Sequence, residues 1–333
     1  NMLARANICS RYAERIMIDV GEFRAATFTE LFDGVKSLPW EDYIGKYDAF
    51  PVNGRSIDSA LFSIPDCQSI VKKAIVERLK QKYHISHFEE TGAEYRVRFF
   101  IHKNVASLMI DTSGEGLHKR GYRRKSNDAP LKETLGAAMC DIARIYPDTL
   151  MFDPFCGSGT LLIEAALKAT NTAPGLRRFF SAERFGFIPD SIWREERMRA
   201  QDLIVHNIEF RAQGFDTDQN AVALTNENAE KAGMKKYVKA SVGDVRDFTV
   251  PDERCLVITN PPYGERLLDV KAAEELYAVM GQRFKEGCGR KYYIISPHDE
   301  FERFFGREAD KRRKLYNGMI KCQLFMYFKN RER

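Results

Sequence analysis

The part of the sequence best suited to chemistry is the run Asn260-Pro261-Pro262-Tyr263, which follows the apolar residues 255–258. Two successive prolines fix φ and remove two N–H donors, so the carbonyl groups of this loop are held rigid and face outward. A planar amino group could donate to the Asn260 side-chain oxygen and the Pro261 carbonyl, while Tyr263 offers a face for ring stacking. These two hydrogen bonds would direct the nitrogen lone pair at an electrophile, so the reaction would depend mainly on the orientation of the amino group. The plainer alternative is a Pro-Pro turn beside a core tyrosine.

A second candidate site is the glycine-rich segment 152–160, which follows a predicted strand and opens a predicted helix. In doubly wound folds a ligand binds at such a point. The segment has neither the dinucleotide pattern nor a phosphate loop, which favours a ligand without phosphates. S-adenosylmethionine is one such ligand, because its carboxylate suits N–H groups at a helix start and its ammonium suits the carboxylate of Asp153. The alternative is an ordinary glycine turn after a buried strand.

Two further acidic residues end predicted strands. Asp216 could accept both hydroxyls of a ribose. It lies much farther along the chain than the dinucleotide pattern requires, so we expect an insertion at about 171–208. Asp244, followed by Val245, could accept a hydrogen bond from an adenine amino group, or it could be a turn aspartate. Asp218 fits the N-cap of the following helix better than a ligand.

Helical and strand patterns alternate through the region that carries these residues. The predicted elements are a helix at 131–145, a strand at 150–153, a helix at 160–169, a strand at 211–215, a helix at 219–232, strands at 237–242 and 255–259, a helix at 271–286 and a strand at 291–296. This alternation predicts an α/β fold with a parallel, Rossmann-like sheet and helices on both faces. Two last strand-like runs, 314–316 and 322–328, are joined by Asn317-Gly318 and predict a hairpin at the sheet edge.

The pattern of residues 1 to about 112 predicts a smaller α+β domain. The predicted elements are a helix near 28–35, a strand near 49–52, an amphipathic helix at 66–83 and a hairpin formed by 95–102 and 105–111, with its turn at Lys103-Asn104. The segment 118–125 then places five Lys or Arg residues around Gly121 and Tyr122, and we interpret it as the interdomain linker. A second basic run, 311–314, could be either a solvated face or an RNA contact.

The composition of the chain limits the classes of protein to which it can belong. A chain of 333 residues with 44% hydrophobic residues favours two domains, and its net charge of +5 decides little about partners. We find no apolar window of about 20 residues and no signal peptide, so we expect no membrane association and a cytoplasmic location. The seven cysteines show no Cys-x-x-Cys pair. We therefore expect neither a disulfide framework nor a metal site.

Together, the motifs at 153–160 and 260–267 resemble those of THUMP-containing class I RNA methyltransferases, specifically the bacterial large-subunit rRNA guanine-N2 branch. Residues 118–123 and 129–134 are similar to that branch's linker and first catalytic-domain helix, and 51–82 to its THUMP core. The resemblance implies three parts, namely a THUMP-type RNA-binding domain at 1–112, a basic linker at 113–129 and an S-adenosylmethionine-dependent methyltransferase domain at 130–333. It also implies a ferredoxin-like segment before the THUMP core, which we expect to be missing from this chain.

The resemblance also implies roles for the candidate residues. Asp153 and the loop 157–159 would hold the methionine part of the cofactor, Asp216 the ribose and Asp244 the adenine, and residues 130–132 would lie over the cofactor pocket. The cofactor-binding residues implied in this way are Asp153, Phe155, Gly157, Gly159, Thr160, Asp216, Asp244, Val245, Asn260, Pro130 and Lys132. The catalytic residues implied, which would hold the flipped base, are Asn260, Pro261, Pro262 and Tyr263.

The implied reaction is methyl transfer from S-adenosylmethionine to the exocyclic N2 amino group of a guanine in 23S ribosomal RNA. Transfer-RNA guanine-N2, DNA adenine-N6 and protein glutamine methyltransferases remain alternatives, because all of them position a planar amino nitrogen with Asn-Pro-Pro-Tyr. A non-catalytic RNA-binding protein is the alternative from another class. The α+β module and the basic, Tyr-containing linker favour structured RNA, which proteins read largely by shape and phosphate contacts. The sequence leaves the oligomeric state open.

Overall fold

The computed structural model describes residues 1–123, 131–263 and 267–329. The chain forms two compact units, and each contains residues from two separate stretches. The first unit comprises Asn1–Leu117 and Arg178–Arg199, and the second comprises His118–Arg177 and Ala200–Arg333. Among the described residues, no helix combines the length and apolar character needed to cross a membrane.

The first unit is built on a four-stranded sheet. Its elements are α1 (Met2–Cys9), β1 (Met17–Arg24), α2 (Phe28–Ser37), β2 (Val52–Ile57), α3 (Ile64–Tyr83), β3 (Val97–His102) and β4 (Val105–Asp111). The strand order is β1-β4-β3-β2, and only the β2–β3 pair is parallel. The predicted hairpin is confirmed, because Lys103 and Asn104 have φ of 51° and 61°, as a two-residue type I′ turn requires. The predicted strand near 49–52 is displaced, since β2 starts at Val52 and Ala49 forms only an isolated bridge.

The second unit is built on a seven-stranded sheet. The remaining elements of the chain are α4 (Glu133–Ile142), β5 (Leu150–Asp153), α5 (Thr160–Ala169), α6 (Asp190–Asp202), β6 (Arg211–Asp216), α7 (Gln219–Ala232), β7 (Val238–Val242), β8 (Cys255–Thr259), α8 (Leu267–Arg283), β9 (Arg290–Ser296), α9 (Phe301–Phe305), β10 (Lys311–Asn317) and β11 (Ile320–Tyr327). The strand order is β10-β11-β9-β8-β5-β6-β7. Strands β5 to β9 are parallel, and β10 and β11 form the predicted antiparallel hairpin at one edge.

Both faces of this second sheet are covered, as the alternating pattern predicted. Alternate residues of β8 enter two different apolar clusters, Leu256 and Ile258 one cluster and Cys255 and Val257 the other. The first cluster includes side chains of α4, α5 and α7, and the second includes side chains of α8 and α9. Because parallel strands end at one edge, the residues that follow β5, β6, β7 and β8 come together there.

Part of the predicted insertion at 171–208 belongs to the first unit. The rings of Tyr95 and Phe185 stack with their centroids 4.1 Å apart. Arg178 is buried and donates to the carbonyls of Glu115 and Gly116, at 2.8 Å in each case. Residues 178–199 are therefore held in that unit by ring packing and by hydrogen bonds to its backbone.

Candidate active site

A cavity of about 690 Å³ opens where the parallel strands of the second unit end. The predicted site residues that line it are Lys132, Asp153, Phe155, Gly157, Thr160, Asp216, Asp244, Val245, Asn260, Pro261, Pro262 and Tyr263. Gly159 does not line the cavity and instead forms the N-cap of α5. Pro130 lies outside the described residues. The structure thus brings the glycine loop, the three strand-end acids and the Asn-Pro-Pro-Tyr loop to one place.

The glycine loop owes its shape to left-handed backbone and to two neighbouring elements. Gly157 and Gly159 have φ of 53° and 82°, a region that disfavours residues with a Cβ atom. A Cβ atom on Gly159 would also lie 2.8 Å from Cγ2 of Thr225 in α7. The Asp216 carboxylate accepts the Gly157 N–H at 3.0 Å, and the Thr225 hydroxyl donates to the Gly157 carbonyl at 2.8 Å. The end of β6 and the helix α7 therefore hold the loop in place.

Asp153 is a buried carboxylate at the end of β5, only 1% exposed. Its Oδ1 accepts hydrogen bonds from the Thr259 hydroxyl at 2.6 Å and from the Phe155 N–H at 3.1 Å. Burial raises the pKa of Asp153 to about 7, although these two hydrogen bonds act in the opposite direction. A cation placed beside Asp153 would favour its ionised form. The residue therefore suits an ammonium group of a ligand in the cavity.

The other two strand-end acids are partly engaged by the protein itself. The second oxygen of Asp216 accepts the Asp218 N–H at 3.0 Å, and Asp218 caps α7 by accepting the Asn220 N–H at 2.8 Å. The predicted N-cap role of Asp218 is thereby confirmed. Asp244 forms an ion pair with Arg246 at 2.7 Å. Arg246 lines the cavity and was not singled out in the sequence, where an arginine after a turn carries no distinctive signal.

The Asn-Pro-Pro-Tyr loop contains a buried acceptor for which the described part of the chain supplies no donor. The Oδ1 atom of Asn260 is buried and has no hydrogen-bond partner among the described residues. Leaving such an acceptor unsatisfied costs about 1–3 kcal/mol, so a donor from a bound molecule would restore this energy. The Tyr263 hydroxyl accepts a hydrogen bond from Nδ2 of Asn317 at 2.8 Å. Asn317 ends β10 and also lines the cavity, which the sequence did not predict because it lies far along the chain.

Two arginines and the tyrosine of the predicted linker have their side chains buried within the second unit. Arg120 and Tyr122 are buried, and both contact Glu164, with the Arg120 Nε atom 3.4 Å and the Tyr122 hydroxyl 3.2 Å from its Oε1. Arg123 forms an ion pair with Glu133 at 2.9 Å and donates to the Thr160 hydroxyl at 3.1 Å. Because buried guanidinium groups need carboxylate partners, these residues stabilise the second unit. Their side chains are not an exposed basic patch for RNA phosphates.

Comparison with known families gives two matches. Residues 120–325 match the family described as "RMKL-like, methyltransferase domain", and residues 25–111 match the family described as "THUMP domain". These matches confirm the resemblance in the sequence and the α/β fold class.

Two relatives and two solved structures illustrate the similarity. The chain is 42% identical to the "Putative RNA methyltransferase YpsC" of Bacillus subtilis, covering 98% of this chain and 85% of that protein. It is 33% identical to the "Ribosomal RNA large subunit methyltransferase K/L" of Cellvibrio japonicus, covering 98% of this chain but 46% of that protein. The chain thus spans about half the length of the K/L relatives.

Among solved structures, one described as a "predicted N6-adenine-specific DNA methylase" from Listeria monocytogenes has a TM-score of 0.93 and 43% identity, covering 98% of this chain and 85% of that one. The structure of SMU.472, "a putative methyltransferase complexed with SAH", has a TM-score of 0.92 and 40% identity, covering 99% of this chain and 88% of that one. The chain therefore belongs to the family of RMKL-like methyltransferases, with a THUMP domain preceding the methyltransferase domain.

Proposed function

We propose that this protein transfers a methyl group from S-adenosylmethionine to the exocyclic N2 amino group of a guanine in 23S ribosomal RNA. The observation that carries the proposal is Asn260, which lines the same cavity as the glycine loop and Asp153 and whose buried Oδ1 finds no donor among the described residues. An acceptor in that state suits a substrate N–H. The proposal includes a cytoplasmic enzyme that acts on structured RNA.

The cofactor half of the cavity fits S-adenosylmethionine by charge and hydrogen-bonding capacity. Asp153 would pair with its ammonium, and the N–H groups of the glycine loop at the start of α5 would bind its carboxylate. Asp216 would accept the ribose hydroxyls, and Asp244 the adenine amino group. Flanking contacts would come from Phe155, Gly157, Thr160, Val245 and Lys132, which line the cavity. The cofactor supplies an electrophilic methyl carbon on sulfur.

The substrate half would be formed by the Asn-Pro-Pro-Tyr loop. Oδ1 of Asn260 and the carbonyl of Pro261 would accept the two hydrogens of the amino group, and this fixes the direction of the nitrogen lone pair. Pro262 keeps the loop rigid, because its ring fixes φ and it has no N–H. The ring of Tyr263 would stack on the base while its hydroxyl is held by Asn317. Correct orientation then lowers the barrier without a strong base.

The choice of substrate rests on the attached domain and on the relatives. A THUMP domain at 25–111 favours RNA over the DNA named for the Listeria structure. The K/L relatives are named for large-subunit ribosomal RNA, which favours 23S RNA over transfer RNA. Mass spectrometry of nucleosides from a deletion strain distinguishes these substrates, because the lost mark would be N2-methylguanine in 23S RNA, N2-methylguanine in transfer RNA or N6-methyladenine in DNA.

The Asn260→Ala variant tests the role of the loop. We expect S-adenosylmethionine affinity to stay within about twofold of the wild type, while methyl transfer to RNA falls at least about 100-fold because the amino group is no longer oriented. Calorimetry and single-turnover methylation measure the two quantities. Asn220→Ala, on the exposed first turn of α7, is the matched control and should leave both unchanged.

Two results would contradict the assignment. Normal methyl transfer by Asn260→Ala would remove Asn260 from the substrate site. A loss of cofactor affinity with no further loss of transfer would place Asn260 against the cofactor instead.

A further inference from the structure

The β10–β11 hairpin reaches the edge of the sheet at which the cavity opens. β11 is antiparallel to β9 and β10 is antiparallel to β11, so β10 runs in the direction of the parallel strands and ends where they end. Asn317 pairs with Ile320, which leaves Gly318 and Met319 as the two central residues of the turn. Gly318 has φ of 63°, as the first central position of a type II′ turn requires. The turn is therefore a defined structure at the mouth of the cavity.

This turn is connected to the substrate loop. Asn317, Gly318 and Ile320 line the cavity, and Nδ2 of Asn317 donates to the Tyr263 hydroxyl at 2.8 Å. The hydrogen bond fixes the tilt of the Tyr263 ring relative to β10. The surface against which a base would stack is thus set jointly by the Asn-Pro-Pro-Tyr loop and the hairpin.

The turn is also apolar and exposed. Met319 is 97% exposed, Tyr316 is 54% exposed and Ile320 is 38% exposed. Exposed apolar side chains grouped beside a cavity mark a binding surface more often than an ordinary face of the protein. A binding partner with flat rings, such as nucleic acid bases, would cover these side chains.

The strand leading to the turn is basic. Lys311, Arg312, Arg313 and Lys314 are all exposed, and within the described part of the chain only Arg312 has a carboxylate partner, Glu302. Successive side chains of a strand point to opposite faces, so Arg313 shares a face with Asn317, about 13 Å away along the strand. Cations that have no acidic partner among the described residues, next to the exposed ring of Tyr316, complement a nucleic acid strand.

We propose that the β10–β11 hairpin is the substrate-docking element of this enzyme. Its turn forms the wall beside the target base. Arg313, on the face of Asn317, and Lys314, on the opposite face of this edge strand, bind phosphates of the flanking nucleotides on the two sides of the strand. This inference rests on the proposed function for the identity of the polyanion as RNA.

The double charge reversal Arg313→Glu/Lys314→Glu tests the phosphate contacts. The matched control is Arg211→Glu/Lys239→Glu, which makes the same charge change at exposed positions of β6 and β7, toward the opposite edge of the sheet. The probe is unmodified 23S RNA transcribed in vitro, with filter binding and single-turnover methylation measured between 50 and 200 mM salt. Calorimetry measures S-adenosylmethionine affinity, and thermal melting checks the fold.

We expect the hairpin variant to bind the transcript at least tenfold more weakly at about 150 mM salt, with unchanged cofactor affinity. The slope of log affinity against log salt should become shallower by about 1.4, because each lost contact to single-stranded phosphate removes about 0.7. The milder Arg313→Gln/Lys314→Gln variant should show the same change in slope with less risk to folding. The control should match the wild type.

The Asn317→Ala variant tests whether the turn of the β10–β11 hairpin positions the Tyr263 ring. We expect a lower rate of methyl transfer at saturating RNA, with unchanged affinity for the transcript and for the cofactor, because only the orientation of Tyr263 is released. A merely structural role would lower the melting temperature and all three quantities together.

The outcomes of these experiments distinguish this proposal from the proposed function. Equal losses in the hairpin and control variants, or an unchanged hairpin variant, would overturn the docking role while methylation by the wild type stands. Transcript binding that depends on the hairpin, without formation of N2-methylguanine, would support docking and reject the proposed reaction. A wild-type protein that does not bind the transcript would overturn the docking role as well.

Discussion

The buried carboxylate of Asp153 predicts that cofactor binding depends on pH. Burial raises its pKa to about 7, so near neutral pH the ligand-free protein is a mixture of the protonated and ionised forms. Only the ionised form attracts an ammonium group. S-adenosylmethionine should therefore bind more tightly as the pH rises toward 7, with a proton released from Asp153.

The size of the effect follows from the fraction of Asp153 that is ionised. About half is ionised at pH 7 but only about 3% at pH 5.5, so affinity should fall roughly fifteenfold between these values. Above about pH 8 the ammonium of the ligand loses its own proton, and affinity should fall again. Affinity is therefore highest between the two pKa values.

The same raised pKa has the opposite consequence for the ligand-free protein. Because the folded state holds the proton more tightly than the unfolded chain, Asp153 contributes stability below its ordinary pKa of 3.8. That contribution is lost as the pH rises through about 7. Cofactor affinity and the stability contribution of this one group thus change in opposite directions with pH.

Calorimetry from pH 5.5 to 8.5 measures the affinity of the wild type, of Asp153→Asn and of Asp247→Asn. Asp153→Asn should bind weakly and lose the rise toward pH 7, whereas Asp247→Asn removes an exposed carboxylate nearby and should behave like the wild type. A wild-type affinity that is flat between pH 5.5 and 7 would refute the pairing of Asp153 with the ammonium. If Asp247→Asn also lost the increase in affinity between pH 5.5 and 7, that increase could not be assigned to Asp153.

Two further predictions concern the cofactor loop and the buried network. Asp216→Ala should weaken S-adenosylmethionine binding by about 1.5–3 kcal/mol, measured by calorimetry, because it removes charge-assisted hydrogen bonds to the ribose and also releases the Gly157 N–H; unchanged affinity would exclude Asp216 from the site. Arg120→Met should lower the free energy of unfolding by about 3–5 kcal/mol in urea titrations, because it leaves Glu164 buried without its cation. The double variant Arg120→Met/Glu164→Gln should recover part of this loss and Lys239→Ala, at an exposed position of β7, should show none, whereas equal effects of all three would refute the ion-pair explanation.

The cofactor half of the site was predictable because its chemistry is local in sequence. Each acid ends a strand or lies just after one. The alternating pattern predicts parallel strands, and the carboxyl ends of parallel strands lie at one edge of the sheet. Asn317 could not be found in this way. It lies 54 residues after Tyr263, and its contact arises only when the last hairpin is added to the edge of the sheet. Nothing in the local pattern of β10 signals that contact.

The first unit shows a different limit of prediction from sequence. Strand β1 was not predicted, because its register shifts between Asp19 and Gly21 and its residues are mostly half-exposed, which removes the alternation that marks a strand. The burial of two arginines in the predicted linker could not be foreseen for a related reason. Composition shows that arginines are present, but the carboxylates that neutralise Arg120 and Arg123 lie on α4 and α5, at Glu133 and Glu164.

The return of residues 178–199 to the first unit has a consequence for protein engineering and for evolution. The chain crosses between the two units three times, so no single cut yields both in intact form. A fragment beginning at His118 would deprive Phe185 of the ring of Tyr95, and the buried Arg178 of the carbonyls of Glu115 and Gly116. Exchange of the THUMP-containing first unit between relatives therefore requires two coordinated replacements, and fusion at one boundary should yield aggregating protein.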